Sequence, residues 1–289
     1  MHKDIWTERQ HMLGRVPFEF YHYLDQEPPQ VDFHQHPFYE IFFFLDGNVT
    51  YTIEGKTYNL RPGDILLTNS QDVHRPNIAK GRPYERVVLW ISNDFFSTIP
   101  VEEAPLSACF TDAATKNYRL IRPSESDFIR LKGICDKISG AQSSTKLGSG
   151  AMVYALVLEF LIRVCRCYYN ADDPLPQDIT EDETVNAVIQ YIDDHITGEL
   201  SLDSLAEHFF LSKFHLSRKF REYAGLSIYQ YIMKRRLGIA RDLLTQGTSV
   251  TEAFLGCGFG DYFRHGAGRA GKKRAASYPG RVFKRLRRV

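Results

Sequence analysis

Two histidines and a carboxylate stand in the pattern His34-x-His36-x3-Glu40, and a third histidine, His74, follows the run Arg61-Pro62-Gly63-Asp64. Side chains two apart on a strand point to the same side, so His34 and His36 face one environment. Imidazole and carboxylate together suit Mn, Fe, Ni or Zn. The same groups can instead bond backbone or line a small-molecule cavity, for which Tyr39 and the run Phe42-Phe43-Phe44 can supply apolar and stacking walls. His34, His36, Tyr39, Glu40 and His74 are therefore the candidate effector-binding residues.

A different chemistry is concentrated at the other end. Residues 212–289 hold 18 of the 36 Lys and Arg but only four of the 35 Asp and Glu, a net charge near +14 hidden within a whole-chain charge of +1. Such a cluster suits a polyanion, because neutralising phosphates is the sequence-independent part of nucleic-acid affinity. A basic tail that only aids solubility or sits on a membrane surface has the same composition, so patterning has to decide. Within Lys213 to Tyr223, Leu216 and Phe220 are four apart and pin a helix to a core. Lys213, His215, Ser217 and Arg218 are left mainly on its outer face, with Arg221 also available. Arg can bond guanine edges bidentately, and Lys, Ser and Arg can all hold phosphates. The alternative is a helical bundle with a charged, solvated face.

The elements that must position these groups differ between the two ends. From Pro17 to Ile99 the chain reads as short β runs, among them Glu40–Leu45, Asn48–Ile53, Ile65–Thr68 and Arg86–Ile91. Turn signals at Asp46-Gly47, Glu54-Gly55 and Pro62-Gly63-Asp64 separate them, which suggests an antiparallel sandwich or barrel. Ser124 can cap a helix running to about Ser139. A Gly/Ser/Thr-rich stretch then precedes a long apolar helix from Ser149 to Tyr169. Met152, Leu156, Leu158, Leu161, Ile162 and Cys165 lie on more than one face of it, so one face can pack on the barrel and another on a second subunit. Asn170 to Asp178, with Pro174 and Pro176, reads as a linker.

Everything after the linker is helical. Thr180 and Glu183 have capping-box spacing ahead of Val185, Val188, Ile189, Ile192 and Ile196. Ser201 caps the next helix, a tight turn at Leu211-Ser212 opens Lys213 to Tyr223, and Gly225 closes it. Ser227 opens a longer helix closed by Gly247. Ser249 and Glu252 repeat the capping-box spacing before the turn at Gly258-Phe259-Gly260. Short helix, tight turn, second helix is the layout of a helix-turn-helix unit, and here it occurs twice.

Residues 180 to about 260 resemble the DNA-binding domain of the AraC/XylS family of bacterial transcription regulators. The resemblance rests on Ser201-Leu202, Leu205-Ala206, Leu211-Ser212, Leu216-Ser217-Arg218, Phe220, Gly225, Arg236-Leu237, Ala240, Leu243-Leu244 and Cys257-Gly258-Phe259-Gly260-Asp261. It implies two helix-turn-helix units bridged by the helix from Ser227 to Gln246, reading successive major grooves. It makes Ser212, Lys213, His215, Ser217, Arg218 and Arg221 in the first unit, and Arg264, Arg269, Lys272 and Lys273 in the second, the DNA-binding candidates. The pattern breaks after Tyr262, where Gly266, Gly268 and Gly271 replace the expected apolar anchors. An interior Gly costs a helix roughly 0.5–1 kcal/mol relative to Ala. Either this second helix is poorly formed and binds by charge alone, or the segment is a divergent or corrupted end of the gene.

Residues 20 to 95 resemble the two cupin motifs, with Pro62 directly before Gly63 as a departure in the second. In a metal-bearing cupin the four corresponding side chains converge inside the barrel, which makes His34, His36, Glu40 and His74 the metal candidates. A divalent metal in that pocket is the one cofactor the residues suggest.

No N-terminal run resembles a signal peptide, since Lys3, Asp4, Glu8, Arg9 and Arg15 interrupt it. The longest apolar stretch, Ala151 to Val164, is broken by Glu159 and Arg163, short of the roughly 20 apolar residues that span a bilayer. Five scattered cysteines without a CxxC pair argue against a disulfide framework or a structural zinc site. The expectation is a cytoplasmic α+β multidomain protein that does not act on membranes. Residues 1–122 form a cupin-like antiparallel β-barrel that senses an effector, a sugar or sugar derivative on the family's pattern. Residues 123–170 are a helical dimerisation segment, 171–179 a linker, and 180–289 an all-α paired helix-turn-helix that binds double-stranded DNA as a homodimer. The competing reading is a metal-dependent cupin isomerase or dioxygenase with an appended helical domain, its metal activating water or dioxygen.

Overall fold

A computed structural model describes residues 12, 16–28, 30–99, 105–170, 179–245 and 247–259. The chain divides into two compact units, Met1–Thr180 and Glu181–Val289.

In the first unit the β runs pair as two antiparallel sheets. One has five strands, β1 (Phe18–Asp25), β7 (Tyr84–Ile91), β2 (Tyr39–Asp46), β5 (Ile65–Thr68) and β8 (Leu120–Ile121), in that spatial order. The other has four, β6 (His74–Ile78), β3 (Val49–Ile53), β4 (Lys56–Asn59) and β9 (Ile179–Thr180). The β3–β4 hairpin turns on Glu54 and Gly55, both at positive φ, as a two-residue hairpin loop requires. The short strand β9 takes the last residue of the expected linker and Thr180 into the sheet. Thr180 therefore does not open the next helix, whose N-cap is Asp182.

Strand β2 explains how an apolar run can serve two layers. Its period of two sends Glu40, Phe42 and Phe44 between the two sheets, where they meet Tyr51, Tyr58, Tyr84, Val88 and Trp90. Tyr39, Ile41, Phe43 and Leu45 point the other way, into a core closed by four helices. These are α1 (Asn93–Ser97), α2 (Ala108–Thr115), α3 (Glu125–Gln142) and α4 (Ser149–Tyr169). The first two did not stand out from the sequence. Ser124 caps α3 by accepting from Asp127 N. Helix α4 buries Val157, Phe160, Leu161, Val164 and Cys165 against the sheet, leaving Met152, Leu158 and Ile162 at least partly exposed. Among the described residues no helix is long and apolar enough to cross a membrane.

The second unit runs α5 (Glu183–Asp194), α6 (Leu202–His208), α7 (Lys213–Ala224), α8 (Ile228–Thr245) and α9 (Val250–Gly256). Ser201 and Ser204 form a capping box on α6, and Ser249 and Glu252 form one on α9. The α6–α7 turn closes as a Schellman motif, with Phe210 N bonded to Glu207 O and Leu211 N to Ala206 O. Its left-handed position is held by Phe210, φ 55°, rather than by the usual glycine. Helix α8 serves two cores. Its start, Ile228, Tyr231 and Ile232, packs with α5, α6 and α7. Further along, Ala240 packs with Cys257 and Phe259. The second expected recognition helix, with Arg264, Arg269, Lys272 and Lys273, lies outside the described residues.

Candidate functional site

The histidines of the first unit come together. His34 precedes β2 and His74 opens β6, and the two exchange backbone hydrogen bonds, His34 N to His74 O at 3.0 Å and His74 N to His34 O at 2.9 Å. One ring nitrogen from each of His34, His36 and His74 falls within 4.8 Å of the others. Each Nδ1 lies 2.9 Å from a backbone carbonyl: Asp32 O for His34, Phe38 O for His36 and Asp72 O for His74. A carbonyl only accepts, so these contacts place the proton on Nδ1 and leave Nε2 as the lone-pair nitrogen. The same fixing of tautomer and ring orientation is found behind metal-bound histidines. His74 is fully buried, and its Nε2 has no hydrogen-bond partner among the described residues.

Glu40 sits slightly apart, 1% exposed. Its carboxylate accepts from Trp90 Nε1 at 2.6 Å and Tyr51 OH at 3.4 Å, and lies 3.1 Å from His36 Nε2. With Nδ1 already donating to Phe38 O, His36 can donate to Glu40 only when it carries a second proton. Burial raises the Glu40 carboxyl, but hydrogen bonds from His36 and Trp90 and the nearby histidines lower it to about 2. Burial, with His34 and His36 beside it, lowers His74 to about 3. With His74 neutral across the physiological range, donation from Trp90 Nε1 and Tyr51 OH, rather than the charge of His74, holds the Glu40 carboxylate there.

These shifts make the metal-free first unit acid-sensitive. Between pH 6.5 and about 3 the unfolded chain protonates His74 while the folded chain does not, so stability falls as pH falls. Glu40 adds to the loss from pH 4.5 down to about 2, where its folded carboxylate resists protonation. Urea titrations between pH 7 and 4 should show a falling midpoint, flattened in His74→Gln. A pH-independent midpoint would contradict this account.

Tyr39 does not join the group. The alternation of β2 turns it from Glu40 toward the helices, with ring centroids 5.1 Å from Phe96 and 4.9 Å from Phe110. Phe43 faces the same helical side. The side chains that do surround Glu40, Tyr51 and Trp90, were missed. Trp90 stands directly across from Glu40 in the β2–β7 register, which local sequence does not reveal.

In the second unit α7 holds the first set of basic candidates. Ser212 caps the helix by accepting from His215 N, and Gly225 ends it at φ 73°. Leu216, Phe220 and Ala224 are buried, while Lys213, His215, Arg218 and Arg221 are exposed and Ser217 is half-buried. Lys213 forms a solvent-exposed ion pair with Asp203 of α6. Lys219 is tied to Asp182 at 2.9 Å. Arg218 and Arg221 make no ion pair among the described residues. Phe214 on the same outer face is 77% exposed, a feature that counting charges overlooked although the helical period places it there.

Residues 20–145 match the family described as AraC-like ligand binding domain, and residues 205–285 match the Helix-turn-helix domain family. The chain is similar to the HTH-type transcriptional activator RhaS of Salmonella arizonae, 25% identical over 243 residues, covering 81% of this chain and 82% of that protein. RhaS of Salmonella typhimurium aligns at 25% over 244 residues with the same coverage. ToxT from Vibrio cholerae is a solved structure at 15% identity, covering 85% of this chain and 90% of that one, with a TM-score of 0.35, too weak a likeness to bear on function. The matched domains are those of a regulator and not of an enzyme, which removes the isomerase and dioxygenase reading. With a ligand-binding domain followed by a helix-turn-helix domain, the chain belongs to the AraC family of transcription regulators.

Proposed function

We propose that the protein reads a specific operator in the cytoplasm as a homodimer, controlled by a small-molecule effector, a sugar or sugar derivative, held in its cupin-like part. In this reading 1–122 senses, 123–170 dimerises, 171–179 links and 180–289 binds DNA. The observation that carries the DNA-binding reading is α7: a capped helix pinned by Leu216 and Phe220, with Arg218 and Arg221 on its outward face. Ser212, Lys213, His215 and Ser217 support backbone contacts around it. The partly exposed Leu158 and Ile162 on α4 support a contact with a second copy. Effector control requires the effector to favour one arrangement of the DNA-binding units over another.

Footprinting across the gene's upstream region at several salt concentrations should reveal a discrete protected site. Arg218→Ala should weaken that site about 10- to 100-fold while leaving sequence-independent binding little changed. Uniform, steeply salt-dependent coverage would sink the specific-regulator reading.

His34, His36 and His74, with Glu40 behind His36, also suit a divalent cation. Two nitrogens each about 2.1 Å from one ion lie no more than about 4.2 Å apart, so a 4.8 Å set must contract slightly to hold it. Zinc added to metal-depleted protein should raise the melting temperature by several degrees in the wild type and not in His74→Ala. No rise in the wild type counts against the metal.

A further inference from the structure

An apolar residue scattered on a protein surface is ordinary, but Phe214 is not placed at random. It is the second residue of α7, in the first turn after the Ser212 cap, and is 77% exposed. Arg218 and Arg221 stand four and seven residues on, so the three form one stripe. The buried Leu216, Phe220 and Ala224 occupy the opposite side. The rest of the helix thus leaves the ring nothing to pack on.

The charges around it indicate what does cover it. Arg218 and Arg221, in no ion pair among the described residues, flank the ring along the stripe, while Lys213 is paired with Asp203; two such cations suit a polyanion better than an apolar protein groove or a lipid surface. The first turn of a recognition helix is the part that reaches base edges. A phenyl ring has no hydrogen bond to offer there. The major groove presents one apolar feature, the C5 methyl of thymine.

We propose that Phe214 is a specificity-determining residue that packs on a thymine C5 methyl in each operator half-site, between the bases or phosphates contacted by Arg218 and Arg221. This rests on reading α7 as the recognition helix. Arg218 then supplies hydrogen-bonding readout and Phe214 shape readout at an adjacent base. A methyl buried against the ring changes affinity about four-fold.

The operator is first selected from random duplexes with the full-length chain, then resynthesised with deoxyuridine replacing one thymidine at a time. Deoxyuridine lacks only the methyl. At one position per half-site, uracil should lower wild-type affinity about four-fold. Phe214→Ala should bind the thymine operator about ten-fold more weakly and bind the uracil operator equally well. Phe214→Leu, which keeps an apolar surface, should retain part of the discrimination. Circular dichroism melts check that these exposed-site variants remain folded. Wild-type indifference to uracil at every position, or a uracil penalty that survives in Phe214→Ala, overturns the proposal. If Arg218→Ala loses the site while Phe214→Ala does not, the recognition-helix reading stands and the Phe214 proposal alone falls. Failure to select any discrete site overturns both.

Discussion

Replacing Asp72 by Asn is expected to destabilise the first unit by about 3–5 kcal/mol and lower its melting temperature by about 10 °C or more. Asp72 is 1% exposed and Arg119 is 4% exposed. The Asp72 carboxylate accepts from Arg119 Nε at 3.0 Å and Nη2 at 2.8 Å. It also accepts from Asn69 N at 3.0 Å. Arg119 gives a further hydrogen bond to Ala113 O at the end of α2, and its backbone N–H donates to the Tyr58 hydroxyl on β4. The pair therefore fastens the loop that crosses from the five-stranded to the four-stranded sheet onto both the helical layer and β4. Burial would lower the guanidinium's pKa, but Asp72 beside it raises it, so it stays charged. The amide of Asn cannot compensate that charge, and a buried uncompensated charge is the costly state. Arg119→Met removes the stranded charge, so the double variant should be less destabilised than Asp72→Asn alone. A loss of under 1 kcal/mol in Asp72→Asn, or no recovery in the double variant, would contradict this role.

In the second unit, Gly258→Ala is expected to cost about 2–4 kcal/mol. Gly258 sits at φ +83°, where a side chain costs roughly 1–2 kcal/mol. A Cβ there would lie 2.6 Å from Ile196 O and 2.8 Å from Thr197 Cα, both backbone atoms of the α5–α6 connection. Arg236 reinforces the same approach, donating from Nε to Ile196 O at 2.8 Å and from Nη2 to Gly198 O at 2.5 Å. Gly258 thus lets the end of α9 close onto the segment that leads into α6, with Arg236 of α8 between them. The substitution must push these pieces apart. Hydrogen exchange should speed up around 196–198 and 250–259 and remain unchanged in the strands of the first unit. Unchanged protection in both segments would show that the close approach is not needed.

The helix boundaries of the second unit were legible because capping is local. Ser201, Ser212, Ser249 with Glu252, and Gly225 each act on backbone groups within a turn of themselves. The exception, Thr180 read as a cap where Asp182 serves, arose because β9 draws Ile179 and Thr180 into a sheet whose partner strand, β4, lies more than 100 residues earlier. The strands of the first unit were visible as turn-bounded apolar runs. The sidedness of β2 was readable from its period of two, yet Tyr39 and Phe43 were grouped with Glu40 because the unbroken apolar run hides that period.

The sequence by itself determined the order of the parts, the family they resemble, the histidines and carboxylate that gather at one end, and the basic helix at the other. Those signals are carried by spacing within a few turns or strands. Only the tertiary structure decided that Trp90 and Tyr51 hold Glu40, that Asp72 meets Arg119, and that Gly258 admits the backbone at Ile196. Each of these joins residues far apart in the chain, through strand register or the packing of separate elements, and no local pattern records such a contact.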